Sequence, residues 1–359
     1  MSLLFSPAKL GSLTLQNHLV IAPMTRSRAI DNVPNDLMAE YYAQRASAGL
    51  IVTEGTSPSP NGLGYARIPG IFSDAQVAGW KKVTDAVHAR GAKIFVQLMH
   101  TGRISHALNL PAGAEVVAPS AVAAKGEMYT DAEGMKPHPV PKAMTSADLK
   151  HALDEFVQAA KNAVAAGFDG IELHAANGYL LEQFIRPNSN TRTDNYGGSI
   201  ENRARFVLEV VDATIAAIGK DKVGIRLSPY GVFNDMPDYP EMEADYAYLA
   251  RALNTKGLVY VHLVDHSAMG APAVPAKIKS IYRDEFKGTL ILSGGYDAKR
   301  AEADLTTGKA DLIAVGRAFL ANPDLVERWK KQAAENAPDM ATFYTPGPKG
   351  YTDYPALAG

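Results

Sequence analysis

Eight short runs of apolar or β-branched residues recur along the chain, and stretches with helical periodicity lie between most of them. The runs are His18–Ala22, Leu50–Thr53, Lys93–Leu98, Gly170–Leu173, Val223–Leu227, Tyr260–Val264, Thr289–Leu292 and Leu312–Val315. Several show no polar alternation, which is typical of parallel strands covered on both faces. Alternating strands and helices form either an open doubly wound sheet or a closed barrel, and eight units favour closure. The sequence therefore predicts an α/β fold, a single (β/α)8 TIM barrel.

The intervals between the strands carry the helical patterns. The clearest begins at Ser146, a candidate N-cap, and continues with apolar residues at spacings of three and four until Gly167 stops it. Further helices are expected at Asp36–Ala48, Asp74–Ala89, 199–219, Glu241–Thr255, Ala298–Thr307 and Ala321–Ala334. No G-x-G-x-x-G motif follows the first strand, so an open dinucleotide-binding sheet lacks its strongest sequence support.

The chain is longer than the roughly 250 residues of a bare barrel. Most of the surplus lies between Thr101 and Thr145, where eight prolines and glycines occur from Pro111 to Pro141. We interpret residues 101–145 as a capping excursion after the third strand rather than as a second domain. Residues 1–359 are thus expected to form one domain.

Composition limits the classes of function. A formal charge of −2 and a pI near 6.5 argue against a general affinity for nucleic acid or for an anionic membrane, which leaves small molecules as the expected partners. The absence of cysteine excludes disulfides, thiolate catalysis and iron–sulfur clusters. The first ten residues lack the charged start and apolar stretch of a signal peptide. A cytoplasmic protein is expected, as a monomer or a homo-oligomer.

Polar residues and glycines follow most of the predicted strands. In a TIM barrel the C-terminal ends of the strands share one face, and that face carries the chemistry. These residues are Pro23–Arg26, Glu54–Gly55, Gln97, His174 with Asn177, Arg226, Ser293–Gly295 and Gly316–Arg317. The sequence therefore predicts one site, at the mouth of the barrel.

The last two strands end in a pattern that suits phosphate. Gly294, Gly295 and Gly316 would allow backbone amides to approach a phosphate closely, and the Arg317 guanidinium would neutralise it with forked hydrogen bonds. Barrels of this class often bind phosphate there. The alternative is that the glycines only form turns. Arg317 has no comparably simple structural explanation.

The fourth strand leads into a second polar group. The side chains of His174 and Asn177 can both donate to one oxygen atom and hold a developing negative charge. Tyr179 has a phenol with an ordinary pKa of about 10, so it keeps its proton at neutral pH and can act as a general acid. The structural alternatives are a buried histidine, a turn asparagine and a packing tyrosine. A metal site is disfavoured, because no second histidine or carboxylate stands at ligand spacing.

Taken together, the motifs resemble those of the Old Yellow Enzymes. The resemblance rests on Pro23-Met24-Thr25-Arg26, His174-Ala-Ala-Asn177-Gly-Tyr179-Leu-Leu-Glu-Gln-Phe184, the stretch from Asn188 to Arg205, Ser293-Gly294-Gly295, Gly316-Arg317 and the segment Gly350 to Pro355. It extends over essentially the whole chain. It implies a barrel that binds FMN, takes a hydride from NADPH or NADH, and reduces electron-poor alkenes such as α,β-unsaturated carbonyls, imides and nitroalkenes.

The resemblance also implies roles for individual residues. It assigns flavin binding to Pro23, Thr25, Gly55, Gln97 and Arg226, and FMN phosphate binding to Gly294, Gly295, Gly316 and Arg317. It assigns the substrate oxygen to His174 and Asn177, proton delivery to Tyr179, and the wall of the substrate pocket to Tyr65, Met99, Phe233 and Tyr344. Met99 departs from the family pattern, in which many members carry a bulky aromatic residue there.

Two other classes of function, one enzymatic and one non-enzymatic, would share parts of this sequence pattern. Another barrel flavoprotein or a phosphosugar isomerase would use the same glycine and arginine phosphate site. A ligand-binding or flavin-storage protein would keep the cofactor without turnover. The related dienoyl-CoA reductases are excluded, because their iron–sulfur cluster needs cysteines that this chain lacks.

Overall fold

The computed structural model describes residues 2–357, so both ends of the predicted 1–359 domain lie outside the described residues. Eight parallel strands close into a barrel in chain order. They are β1 (Leu19–Ile21), β2 (Leu50–Thr56), β3 (Lys93–Leu98), β4 (Gly170–Ala175), β5 (Val223–Leu227), β6 (Tyr260–Val264), β7 (Thr289–Ser293) and β8 (Leu312–Val315). Closure is made where Ile313 of β8 pairs with Leu19 of β1. The predicted (β/α)8 TIM barrel is confirmed.

One long helix follows each strand. These are α1 (Asp36–Gln44), α2 (Asp74–His88), α3 (Ser146–Ala165), α4 (Arg205–Ile218), α5 (Met242–Lys256), α6 (Ala276–Glu285), α7 (Ala298–Thr306) and α8 (Leu325–Lys331). Shorter α-helices span Leu180–Ile185, Ile200–Arg203 and Arg317–Ala321. The sequence did not predict α6, because the helix is mostly polar and only Ile278 and Tyr282 of it are buried.

Two predicted helix boundaries were wrong for local reasons. The N-cap of α3 is Thr145 rather than Ser146, because the Thr145 hydroxyl and the Asp148 carboxylate bond each other's backbone N–H. The helix predicted over Ala321–Ala334 is instead two helices, with Asn322 in an extended conformation between them. The ring of Pro323 disfavours helical geometry in the residue before it.

Apolar side chains fill the inside of the barrel and the layer between strands and helices. Inside, Val20, Val52, Phe95 and Ile291 are essentially inaccessible to solvent. An N-terminal hairpin of strands Ala8–Leu10 and Leu13–Leu15 packs against the same cluster, at the N-terminal ends of the strands. The barrel is therefore filled and closed at one end, which leaves the opposite mouth for a ligand.

The excursion over residues 101–145 contains little regular structure. Its strands Glu127–Thr130 and Gly134–Pro137 form an antiparallel hairpin, and Val117–Ala118 pairs with Lys142–Ala143. Met128 belongs to a buried cluster that also includes Met99 and Tyr179. The excursion thus packs over one side of the barrel mouth. Within residues 2–357, no helix combines the length and the apolar character that crossing a bilayer requires.

Candidate active site

A cavity of about 610 Å³ opens at the C-terminal ends of the barrel strands. Its volume falls within the roughly 300–1,000 Å³ that is usual for small-molecule sites. All sixteen candidate residues from the sequence line it, although they are spread between positions 23 and 344. They are Pro23, Thr25, Gly55, Tyr65, Gln97, Met99, His174, Asn177, Tyr179, Arg226, Phe233, Gly294, Gly295, Gly316, Arg317 and Tyr344. Their individual roles remain predictions.

Two polar residues at strand ends do not line the cavity. The Glu54 carboxylate accepts hydrogen bonds from the backbone N–H of Arg26 (3.2 Å) and from the Tyr42 hydroxyl (3.4 Å). The Arg26 guanidinium donates to the carbonyl oxygens of Phe343 (3.2 Å) and Gly350 (2.7 Å). Of the polar residues that the sequence placed at the mouth, Glu54 and Arg26 therefore point elsewhere. The hydrogen bonds of Arg26 instead hold the C-terminal segment in place. That segment contains Phe343, which lines the cavity.

His174 lies within β4 and is only 3 % exposed. The backbone N–H of Ala176 donates to its Nδ1 at 3.3 Å. Burial, and next the charge of Arg226, lower the pKa of His174 well below 6.5, so the ring is neutral at neutral pH. A neutral imidazole whose Nδ1 accepts a hydrogen bond carries its proton on Nε2. His174 therefore offers one N–H donor to a ligand in the cavity.

The turn after β4 is held in an uncommon backbone conformation. Asn177 and Gly178 both have positive φ, at 57° and 79°. The Asn177 N–H donates to the Ser228 hydroxyl at 2.8 Å, and its carbonyl accepts from the Asn234 side chain at 2.6 Å. The Gly178 N–H donates to the buried carboxylate of Glu182 at 2.7 Å. These bonds fix the backbone of the turn and keep the Asn177 side chain at the cavity.

Tyr179 packs at the edge of the His174 ring, with ring centroids 4.8 Å apart. Its hydroxyl lies 2.9 Å from that of Tyr65. Burial raises the pKa of Tyr179 above 10, and hydrogen bonding to Tyr65 offsets this only in part. The phenol therefore keeps its proton across the neutral range. It is a buried acid beside two hydrogen-bond donors, His174 and Asn177.

The glycine pair after β7 packs too tightly for any side chain. Gly294 has φ +139°, and a Cβ there would lie 2.5 Å from the carbonyl oxygen of Asp265. Gly295 has φ +60°, and its Cβ would lie 2.6 Å from that of Ala268. Arg317 is exposed and donates from Nη2 to the Ala268 carbonyl at 3.1 Å. Glycine is required here by geometry, and the guanidinium lies across the same segment.

Sequence reasoning missed several residues that shape this site. Phe343, Asn234 and His266 also line the cavity but lie in loops, where no periodicity marks them. Glu182 holds the turn after β4 from within the short helix Leu180–Ile185. A charged residue between the apolar residues of that helix was a signal that could have identified it.

A family model described as NADH:flavin oxidoreductase / NADH oxidase matches residues 3–336. This chain belongs to that family. The resemblance to the Old Yellow Enzymes is confirmed with it.

Three members of this family are similar to the chain over its whole length. A probable flavin mononucleotide-dependent alkene reductase of Leishmania infantum is 42 % identical, over 99 % of this chain and 97 % of the relative. The structure of morphinone reductase in complex with tetrahydroNAD is 48 % identical, with a TM-score of 0.94 over 99 % of this chain and 98 % of the other. The Old Yellow Enzyme homologue from Zymomonas mobilis is 42 % identical, with a TM-score of 0.95 over 99 % of both chains.

These findings establish that this chain has the general activity of the Old Yellow Enzymes. It is an FMN-dependent oxidoreductase that uses a nicotinamide coenzyme to reduce the C=C bond of activated alkenes.

One wall of the cavity presents an amide oxygen as a hydrogen-bond acceptor for a ligand. The Gln97 Nε2 donates to the buried carboxylate of Glu172 at 2.8 Å, which leaves the amide oxygen of Gln97 to accept from a ligand N–H. The hydroxyl of Tyr260 (3.0 Å) and the Nδ1 of His262 (2.9 Å) also bond Glu172. Burial raises the pKa of Glu172, but His262, Arg226 and the Gln97 hydrogen bond together outweigh burial, and the pKa lies below its usual value. The ionised carboxylate of Glu172 therefore fixes the orientation of the Gln97 amide.

Arg226 supplies an unsatisfied donor at the same end of the cavity. The residue is only 5 % exposed, and its Nε has no hydrogen-bond partner within residues 2–357. Buried donors are rarely left unpaired in native proteins, so a ligand oxygen or nitrogen is expected against it. Gly55 lines the neighbouring wall and has no room for a side chain, since a Cβ there would lie 2.4 Å from the Met99 sulfur. The unpaired Arg226 donor and the Gln97 amide oxygen suit the polar edge of FMN.

Proposed function

We propose that the sixteen cavity residues divide into a flavin-binding group and an alkene-binding group. Pro23, Thr25, Gly55, Gln97 and Arg226 would hold the isoalloxazine ring, and Gly294, Gly295, Gly316 and Arg317 would hold the phosphate. The observation that carries the proposal is that residues from seven strand ends and the C-terminal segment line one cavity. Bound FMN, once reduced by NADPH or NADH, would supply the hydride that reaches the β carbon of the alkene.

His174 and Asn177 would bind the oxygen of the activating carbonyl or nitro group. Negative charge grows on that oxygen as the β carbon is reduced, and donors already in place stabilise it without reorganisation. Both groups are neutral N–H donors and His174 is buried, so neither loses strength by titrating near neutral pH. Tyr65, Met99, Phe233 and Tyr344 would form the wall that orients the alkene.

Tyr179 would deliver the proton to the α carbon. Its hydroxyl is buried and its pKa is raised, so it reaches the transition state protonated. After transfer, the phenolate would accept a hydrogen bond from the Tyr65 hydroxyl at 2.9 Å. The pair would thus complete the addition of two hydrogens across the double bond.

An anaerobic titration of the purified protein tests the proposed function. We expect a flavin absorbance band that bleaches with NADPH or NADH and returns on addition of 2-cyclohexenone, N-ethylmaleimide or a nitroalkene. A colourless protein would favour the phosphosugar isomerase. A yellow protein that is not bleached, or is not reoxidised by any alkene, would favour a flavin-storage function.

Replacing Arg317 by methionine should weaken FMN binding by about 10- to 100-fold, the loss expected for one charge-assisted hydrogen bond of roughly 1.5–3 kcal/mol. Titration of the deflavinated protein with FMN, followed by flavin fluorescence, measures the dissociation constant. Arg251→Met is the matched control, because Arg251 is exposed and distant from the cavity, with only a 4.0 Å contact to Glu285. Equal FMN affinity in both variants would show that Arg317 does not bind the phosphate.

We also propose that residues 1–359 form one FMN-binding domain, with residues 101–145 as its cap. The spread of the cavity residues from Pro23 to Tyr344, on both sides of residues 101–145, supports this. The formal charge of −2 and the lack of cysteine fit a cytoplasmic enzyme, monomeric or homo-oligomeric, that binds neither nucleic acid nor membranes. Limited proteolysis should leave the chain resistant as a single unit.

A further inference from the structure

His266 lies beside the proposed substrate donors but belongs to a different part of the chain. It follows β6, directly before a 3-10 turn at Ser267–Met269, and lines the cavity. Its Nε2 lies 2.8 Å from the Oδ1 of Asn177, a residue 89 positions earlier. The edge of the ring packs against Phe233, with ring centroids 4.5 Å apart. His266 is thus held at a fixed place by one polar and one aromatic contact.

The direction of this hydrogen bond follows from the charge state of the ring. Burial, and next the charge of Arg226, lower the pKa of His266 to about 4, although Asp265 acts in the opposite sense. The imidazole is therefore neutral near pH 7. An amide oxygen has no proton to give, so the Nε2 that faces it must carry the hydrogen and donate it.

The contact decides which end of the Asn177 amide faces a ligand. The backbone of Asn177 is already fixed by Ser228 and Asn234, which leaves rotation of the side-chain amide as its main freedom. With Oδ1 bonded to His266, the Nδ2 group makes no hydrogen bond to any residue in 2–357 and remains the end available to a ligand at the cavity. A reversed amide would present an oxygen to the substrate oxygen, and the two lone pairs would repel each other.

We propose that His266 is a positioning residue for alkene reduction, which holds the Asn177 amide so that its N–H group donates to the substrate oxygen. This inference rests on the proposed function of Asn177. It also narrows the ligands of the site to molecules that place a hydrogen-bond acceptor oxygen beside His174 and Asn177. Ligands that present a hydrogen-bond donor at this position are disfavoured, because the protein groups there are donors as well.

Three variants of the FMN-loaded enzyme test the proposal. His266→Leu removes the donor, His266→Gln retains an amide N–H at a similar distance, and Ser267→Ala is a neighbouring control outside the cavity. The first readout is the dissociation constant of 4-hydroxybenzaldehyde, an oxygen acceptor without an alkene, from its perturbation of the oxidised flavin spectrum. We expect about 3- to 10-fold weaker binding for His266→Leu, and smaller changes for the other two.

A double-mutant cycle with Asn177→Ala separates positioning from a direct contact. If His266 acts through Asn177, His266→Leu has no further effect once the Asn177 amide is absent. Additive losses, or unchanged binding in His266→Leu, would overturn the proposal. So would loss of FMN or a shifted flavin midpoint potential in His266→Leu, because the residue would then support the cofactor site.

Kinetics with 2-cyclohexenone provide a second readout. His266→Leu should raise KM and lower kcat, because the amide contributes both to binding and to stabilising the developing charge, and His266→Gln should restore most of both. If the wild-type enzyme binds no oxygen ligand and reduces no alkene, the proposed function fails. If the wild-type enzyme does both and the variants do not differ from it, only the role of His266 fails.

Discussion

Tyr179→Phe should slow alkene reduction by about 10²- to 10⁴-fold, the range typical of a lost general acid, while reduction of the bound flavin by NADPH or NADH is nearly unchanged. The reason is that only the second half of the reaction needs a proton at the α carbon. The phenol is buried, has a raised pKa and lies 2.9 Å from the hydroxyl of Tyr65, so it keeps its proton at the cavity and its phenolate can be stabilised after transfer. Stopped-flow measurement of the two half-reactions separates them.

Tyr129→Phe is the control for this prediction, since Tyr129 is half exposed on the cap hairpin and outside the cavity. It should change neither half-reaction. Slower flavin reduction with normal alkene reduction in Tyr179→Phe would contradict the assigned role. The same holds if the variant reduces alkenes at the wild-type rate.

Glu182→Ala should lower the free energy of unfolding by about 3–5 kcal/mol, the cost of breaking a buried ion pair from one side. Both side chains of the Glu182–Arg186 pair are fully buried, with Nη2 and Oε1 2.9 Å apart. The same carboxylate accepts from the hydroxyls of Tyr246 (2.8 Å) and Ser228 (3.0 Å) and from the Gly178 N–H (2.7 Å). Removing it leaves a buried guanidinium unpaired and frees the turn that carries Asn177. Urea denaturation followed by tryptophan fluorescence measures the loss.

The matched control is Asp154→Ala. Lys150 and Asp154 form an ion pair with the same i,i+4 spacing and a 2.7 Å contact, but both side chains are more than half exposed. Solvent screens such a pair, so its loss should cost less than about 1 kcal/mol. Similar losses in both variants would show that burial of Glu182 does not govern its contribution.

The periodic parts of the fold could be predicted from the sequence because they depend on local residue order. Runs such as Val223–Leu227 and Tyr260–Val264 have the bounds that the apolar pattern indicated. The helix α6 was missed because it is mostly polar, with only Ile278 and Tyr282 buried. The break before Pro323 was missed because the apolar periodicity continued past a residue whose effect is steric.

The membership of the site could also be predicted, but its internal contacts could not. A residue at or just after the C-terminal end of a barrel strand can reach the mouth because parallel strands share one direction, and this places His174, Arg226 and Arg317 together. The rule fails for Glu54, where the pairing of β2 with β3 is irregular between Val52 and Gly55 and the carboxylate meets Tyr42 instead. An irregular strand register changes the direction in which a side chain points, and the local sequence does not indicate where the register becomes irregular.

By itself, the sequence determined the barrel, the face that carries the chemistry and the residue types gathered there, because strand direction and periodicity are properties of adjacent residues. Only the tertiary structure decided the protonation states and the orientations of those side chains. Glu172 meets His262 across 90 positions, and His266 meets Asn177 across 89. Burial and hydrogen bonding between such distant residues set the pKa values of His262 and His266 and the orientation of the Asn177 amide. Both depend on the packed environment rather than on neighbours in the chain.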